Sequence, residues 1–326
     1  MPKGRISPGE ALRNSGLPLE FAVSSILREV SGLEPQGRYF YEREGVTCET
    51  DLEVQQTWKH KVPGREDAVQ HIMFLECEHR TNEKHWCFLP PSSSVEKLSE
   101  NALFLDFIPE VRRLDKSKLR PLRKQYFIES DVVGDGTELY EDGKGQWSSN
   151  TQAISNAIRQ ATMPIGQYLS STFYSMSMCD WKKMGFIHFF TPVIVTTAKV
   201  QVLKEGIGWG ELSKCDAIAD CFEERASVFS VFVTPTYIAN FWRDEMEKTL
   251  KSEPQDIVLD FVGLFGDPND NLTFREIEES VVVGKPTRVL IVEFDSLKDV
   301  VARYVGSVKE EINACLDLTK VLESGG

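Results

Sequence analysis

Two strand-like segments dense in acids, joined by a polar stretch, constrain this chain more than any other feature. The first is Val46-Thr47-Cys48-Glu49-Thr50-Asp51-Leu52-Glu53-Val54, and the second is Gln70-His71-Ile72-Met73-Phe74-Leu75-Glu76-Cys77-Glu78-His79-Arg80. Between them lie Lys59, Lys61, Pro63, Gly64, Arg65, Glu66 and Asp67, which predict a loop. Side chains alternate across a strand, so Glu49, Asp51 and Glu53 would share one face, with Cys48, Thr50, Leu52 and Val54 on the other. Glu76 and Glu78 would likewise face away from Leu75 and Cys77. Paired as a hairpin, the strands bring their carboxylates toward one spot. Like charges so placed disfavour ionisation. A divalent cation relieves that conflict, and Mg²⁺ commonly takes one or two carboxylates with waters and a substrate phosphate. Alternation alone fits the solvated face of an antiparallel sheet better than a metal site.

The order of motifs adds to this. Asp51 on one strand, followed by an acid at the end of the next, resembles the PD-(D/E)xK nuclease superfamily, the restriction-endonuclease-like fold. Leu17-Pro18-Leu19-Glu20-Phe21-Ala22-Val23 is similar to the acidic helix that precedes the strands in many members. Glu49-Thr50-Asp51 resembles their E-x-D strand, and Phe74-Leu75-Glu76-Cys77-Glu78 their hydrophobic strand ending in E-C-K. Lys84-His85-Trp86-Cys87-Phe88 is similar to a lysine-x-tryptophan stretch that follows in some members. The likeness runs from about Gly16 to Phe88 and is weak beyond.

The resemblance implies a Mg²⁺ site, with Mn²⁺ as an alternative ion, on Asp51, Glu76 and the Cys77 carbonyl. Glu20 would be an outer ligand or orient a water. Glu78 stands where the family usually has Lys, the residue that helps position the attacking water and stabilise charge on the phosphate. Some active members carry Glu there, and Glu78 would act as a base or second-metal ligand. Lys84, Arg80 and Lys59 are candidate replacement cations, and the sequence selects none. Two functions follow: a metal-dependent phosphodiester hydrolase acting on nucleic acid, DNA ahead of RNA, or a catalytically inactive binding or assembly subunit of a larger complex. The superfamily's habits extend the first to a defence setting or a toxin-like effector.

Composition narrows the class. The chain has 326 residues, 41% hydrophobic and 27% charged, which is globular. Its net charge of −13 argues against a general nucleic-acid coat protein. It leaves room for a local basic groove. One such run exists, Arg112, Arg113, Lys116, Lys118, Arg120, Arg123 and Lys124, with Asp115 the one acid inside it. It reads either as phosphate contacts or as a solvated face with acid partners elsewhere. Seven cysteines, an odd number with no C-x₂-C pair, predict reduced thiols in a cytoplasmic protein. Met1 to Ser7 lacks the apolar run of a secretory signal. The most apolar stretch, Phe186 to Leu203, is interrupted by His188, Pro192 and Lys199, so no membrane span is expected.

Elsewhere, apolar spacing predicts a helix from Gly16 and Pro18 to about Val30. A short strand is expected at Arg38 to Tyr41, another at Trp86 to Leu89, and a helix from Val95 to about Leu103. Asp131 to Gly145, rich in Gly, Asp and Glu, predicts a loop. Ser148 or Ser149 would cap a helix to about Tyr168. Ile187 to Thr197 is a buried strand, with Lys199 to Leu203 as its hairpin partner or continuation. Further strands are expected at Ala226 to Val233 and Arg288 to Phe294, and helices at Tyr237 to Lys251 and Leu297 to Leu318. No P-loop, zinc-protease helix or nucleophile-elbow motif occurs. His79 beside Glu78 is a candidate acid–base group, though a surface role is the simpler reading. Cys77, between two acids, is a poor nucleophile. The expectation is one elaborated α/β domain over 1–326 with a restriction-endonuclease-like mixed sheet flanked by helices. Residues 16–90 would form the nuclease-like core, and 91–326 would complete the sheet and its helices. Homo-oligomers and protein partners are compatible with this reading.

Overall fold

The computed structural model describes residues 7–13, 15–31, 33–43, 46–62, 65–81, 84–92, 104–107, 130–142, 144–165, 168, 184–233 and 287–304. Along these the chain forms α1 (Pro8–Arg13), α2 (Leu17–Ser31), β1 (Tyr39–Arg43), β2 (Val46–Thr50), β3 (Leu52–Val62), β4 (Arg65–Glu78), β5 (Lys84–Phe88) and β6 (Phe104–Phe107). There follow β7 (Asp131–Val133), β8 (Gly136–Glu141), β9 (Trp147–Asn150), α3 (Thr151–Thr162), β10 (Met184–Thr196) and β11 (Lys199–Leu203). Last come α4 (Trp209–Leu212), α5 (Ile218–Cys221), β12 (Phe222–Glu223), β13 (Val228–Val233), β14 (Thr287–Glu293) and a helix α6 at 297–304.

Two mixed sheets organise the α/β fold. The larger runs β3-β4-β10-β14-β13-β7, with β6 also on β10, and the smaller runs β12-β11-β5-β8-β9. β4 pairs antiparallel with β3 and parallel with β10. A small hairpin of β1 and β2 stands apart. Leu52, Val54, Met73, Leu75, Cys77, Val193, Val195, Leu290 and Val292 face one side and pack with Leu19, Val23 and Leu27 of α2 and Leu297, Val300 and Val301 of α6. Ile194, Val289, Ile291 and Phe229 face the other side and pack with Ala157 and Ala161 of α3 and with Trp86, Phe88, Val200 and Val202 of the smaller sheet. Strand alternation therefore turns Glu76 and Glu78 toward α3 and the smaller sheet.

Several expectations need correction. The first acidic strand is not continuous: β2 ends at Thr50, Asp51 is a bend, and β3 starts at Leu52. The bend has a cause distant in the chain. The Cys77 amide donates to Asp51 Oδ2 at 2.8 Å, so a side chain takes a donor that the ladder would otherwise use. Glu53 falls past the bend, in β3, and is buried. The polar stretch is strand over 59–62 and 65–67, in a register that sets residue 61 opposite residue 66. Residues 131–141 are strands β7 and β8 rather than a loop. Asn150, not Ser148 or Ser149, caps α3, accepting from the Gln152 amide. β11 is no hairpin partner of β10: it leaves for the smaller sheet and lies parallel to β5. Cys215 and Cys221 are paired as a disulfide, Cα to Cα 6.4 Å, where reduced thiols were expected. The helices expected at 95–103 and 237–251 lie outside the described residues, as does the part of the last helix beyond 304.

Gly136 illustrates why a glycine-rich stretch can be strand. A Cβ there would stand 2.4 Å from Cδ1 of Phe88, which is itself buried on the neighbouring strand. Gly136→Ala is expected to destabilise the protein by about 1–3 kcal/mol, the usual range for overpacking. A denaturant midpoint indistinguishable from wild type would show that β5 and β8 have slack here.

Candidate metal-binding carboxylate site

The acidic site forms where the β3–β4 ladder ends. Thr50, wholly buried, donates to the Gln160 carbonyl of α3 at 2.8 Å and anchors the end of β2. The next residue, Asp51, turns its carboxylate onto the backbone of β4 between Glu76 and Glu78. Glu76 is buried, and its Oε2 has no hydrogen-bond partner. Burial pushes the Glu76 carboxyl up to about 9, and the charges of Asp51, Glu78, Glu20 and Glu49 add to it. Burial also pushes Asp51 up to about 6, against the lowering effects of the Cys77 amide and Arg38. Glu20, Asp51 and Glu78, drawn from a helix, a bend and a strand, thus each act electrostatically on Glu76. The Cys77 thiol is raised by burial and by the same acids, which suits a core side chain rather than a nucleophile.

Two arginines flank these acids. On one side Arg38, preceding β1, contacts Glu49 Oε1 at 2.6 Å and Glu20 at 3.4 Å. On the other, Arg80 Nη1 lies 2.7 Å from Glu78 Oε2, and its Nε donates to Glu138 Oε2 at 2.6 Å. Glu138 sits on β8 of the smaller sheet and is almost wholly buried. It also accepts from Lys84 Nζ at 3.1 Å and Trp86 Nε1 at 3.2 Å. Burial raises this carboxyl, but the Lys84 and Trp86 hydrogen bonds and Arg80 outweigh it, leaving its pKa below the ordinary value.

Arg80 and Lys84 were two of the three candidate cations, and each is thereby assigned a carboxylate. Lys59 is remote, paired in register with Ala68, ten residues before Glu78 on the same strand. Sequence reasoning missed Glu138, hidden in a stretch that reads as loop, although Thr137, Leu139 and Glu141 alternate around it. It also missed Arg38, whose partners Glu20 and Glu49 lie on two other segments, α2 and β2. His79 Nδ1 lies 3.4 Å from Thr197 Oγ1 beside the site. The basic run from Arg112 to Lys124 lies outside the described residues.

Glu138→Gln is expected to destabilise the chain by about 3 kcal/mol, because it removes the carboxylate shared by three donors and leaves buried charge less compensated. Arg80 keeps Glu78, so the loss falls at the lower end of what breaking a buried pair does. Urea unfolding measures this. A loss well under 1 kcal/mol would mean that the network does not join the two sheets energetically.

Among the described residues, no group of three or more His, Cys, Asp or Glu side chains is arranged to hold a metal ion. Two carboxylates with waters and a substrate phosphate remain a normal Mg²⁺ donor set. The unpartnered oxygen of Glu76 beside Asp51 fits such an ion. No family model, no curated protein and no solved structure matches this chain.

Proposed function

We propose that this chain is a metal-dependent phosphodiester hydrolase acting on nucleic acid, DNA ahead of RNA, with a restriction-endonuclease-like core. The observation that carries the proposal is Glu76: a carboxylate buried in a sheet, with one oxygen unpartnered, set beside a second carboxylate whose position is fixed by a backbone amide. Nothing in the apolar core calls for that pair. A cation explains both its burial and its convergence. The fold reading draws support from the succession of an acidic helix α2, the antiparallel pair β3 and β4, helix α3, and β10 parallel to β4.

Asp51 and Glu76 would hold Mg²⁺ or Mn²⁺, with the Cys77 carbonyl as a further donor. Such an ion supplies an activated water and neutralises charge on the phosphate. The chain's own residues do the positioning. The Cys77 amide fixes the Asp51 carboxylate. Arg80 fixes Glu78, so Glu78 is held as half of an ion pair. Glu20 lies at the outer side of the site, in contact with Arg38.

That Arg80–Glu78 pair also favours a second reading. Position 78 carries neither the cation usual in the family nor a free base, as expected of a nuclease fold kept as a binding or assembly subunit. The test is incubation of the full chain with single- and double-stranded DNA and RNA and with Mg²⁺ or Mn²⁺, alongside Glu78→Lys. Cleavage by wild type supports the hydrolase. Cleavage by Glu78→Lys alone supports the inactive subunit.

A further inference from the structure

We propose that Arg38 is the residue of this site that binds the scissile phosphate, and that in the absence of substrate it is parked on the carboxylates Glu20 and Glu49. The inference rests on the hydrolase reading above and names a group for which that reading has no assignment. A site that holds a phosphodiester among several acids needs a protein cation aimed at the phosphate as well as an ion. The usual position for it, residue 78, is Glu. Arg80 cannot turn to a substrate without abandoning the buried Glu138 and also Glu78. Lys84 is likewise committed to Glu138, and faces the Tyr140 ring 5.6 Å away.

Arg38 differs in each respect. Its side chain is 38% exposed, and its partners Glu20 and Glu49 are themselves partly exposed. Exposed ion pairs of that kind contribute little, so the guanidinium is released at small expense. The two residues before Arg38 are hydrogen-bonded to the Glu53 backbone, just past Asp51 (Gln36 amide to Glu53 carbonyl 2.7 Å, Glu53 amide to Gly37 carbonyl 3.2 Å), and its charge acts on the Asp51 carboxylate. Guanidinium matches phosphate through paired N–H donors, which a rotated Arg38 would present. A divalent ion drawing on the same acids would compete with Arg38 for them. Metal loading and release of Arg38 toward the phosphate would then be coupled.

This coupling gives the substitution Arg38→Ala effects of opposite sign on the two ligands. Removing the arginine should tighten Mn²⁺ binding several-fold, read by calorimetric titration. The same change should weaken binding of a short DNA oligonucleotide, measured in Ca²⁺, and lower the slope of log affinity against log salt by roughly 0.7–0.9, one phosphate contact. Cleavage, where wild type shows it, should fall at least 100-fold, and Arg38→Lys should recover oligonucleotide affinity in part by restoring the charge. A thermal unfolding midpoint close to wild type establishes that both variants are folded. Unchanged oligonucleotide affinity and salt slope in Arg38→Ala would overturn the inference, as would weaker binding of Mn²⁺ and DNA together, the pattern of a structural role. Wild-type protein that binds both ligands but cleaves nothing would sink the hydrolase reading. The assignment of Arg38 would then stand or fall on the salt slope alone.

Discussion

Asp51→Asn is expected to abolish metal-dependent cleavage, by at least about 100-fold, while leaving the chain folded. Outer-shell partners of metal ligands already account for 10- to 100-fold, so a direct ligand should exceed that. Asparagine is the informative replacement. Its side-chain oxygen can still accept from the Cys77 amide, which Asp51 Oδ2 does at 2.8 Å, so the bend between β2 and β3 is kept. What is lost is the negative charge beside Glu76. Affinity for Mn²⁺ should fall together with the rate. In the metal-free protein stability should rise, because one of the mutually repelling acids is gone. Cleavage within a few-fold of wild type would remove Asp51 from the chemistry.

The second large effect concerns Glu76 and is one of pH. Its carboxyl is raised to about 9 in the folded chain, chiefly by burial. In the unfolded chain it titrates near the ordinary value of about 4.3. Between those values the folded state holds a proton that the unfolded state has released, so stability falls as pH rises. The contribution is fully present below the unfolded value and is lost by about pH 9. Asp51, raised to about 6, adds a smaller effect of the same sign at the acid end of that window. Glu76→Gln cannot titrate. Metal-free wild type and Glu76→Gln should therefore have similar stability near pH 5, and the variant should be more stable near pH 8.5 by an amount on the order of several kcal/mol. Saturating Mg²⁺ should close the gap by stabilising wild type alone. Parallel stability curves for the two proteins would mean that Glu76 is not strained by its burial.

How much of this was legible in the sequence follows from the range of the interactions. Helix α2 is written in the spacing of Leu19, Val23 and Leu27, and all three are buried. β10, β13 and β14 announce themselves as apolar runs, and their described stretches 192–196, 228–230 and 289–292 are buried. The antiparallel pairing of the two acid-bearing segments was readable from alternation. The bend that aims Asp51 was not, because it depends on a hydrogen bond across 26 residues. The division into two sheets was also hidden. β10 and β11 are separated by Thr197 and Ala198, and the chain turns there through hydrogen bonds of the threonines: Thr196 Oγ1 accepts from the Ala198 amide and Thr197 Oγ1 from the Arg80 amide. Glu138 and Arg38 were missed for the same reason. Each takes its meaning from partners on other segments, and a single sequence shows only neighbours along the chain.

The account turns on whether Asp51 and Glu76 receive one divalent ion. A crystal soaked in Mn²⁺ tests this most directly, through the anomalous signal of the ion itself. The account predicts a peak at bonding distance from carboxylate oxygens of both residues, absent in Asp51→Asn. A well-ordered pair of carboxylates with no peak between them at saturating Mn²⁺, or a peak bound elsewhere on the chain, would contradict it.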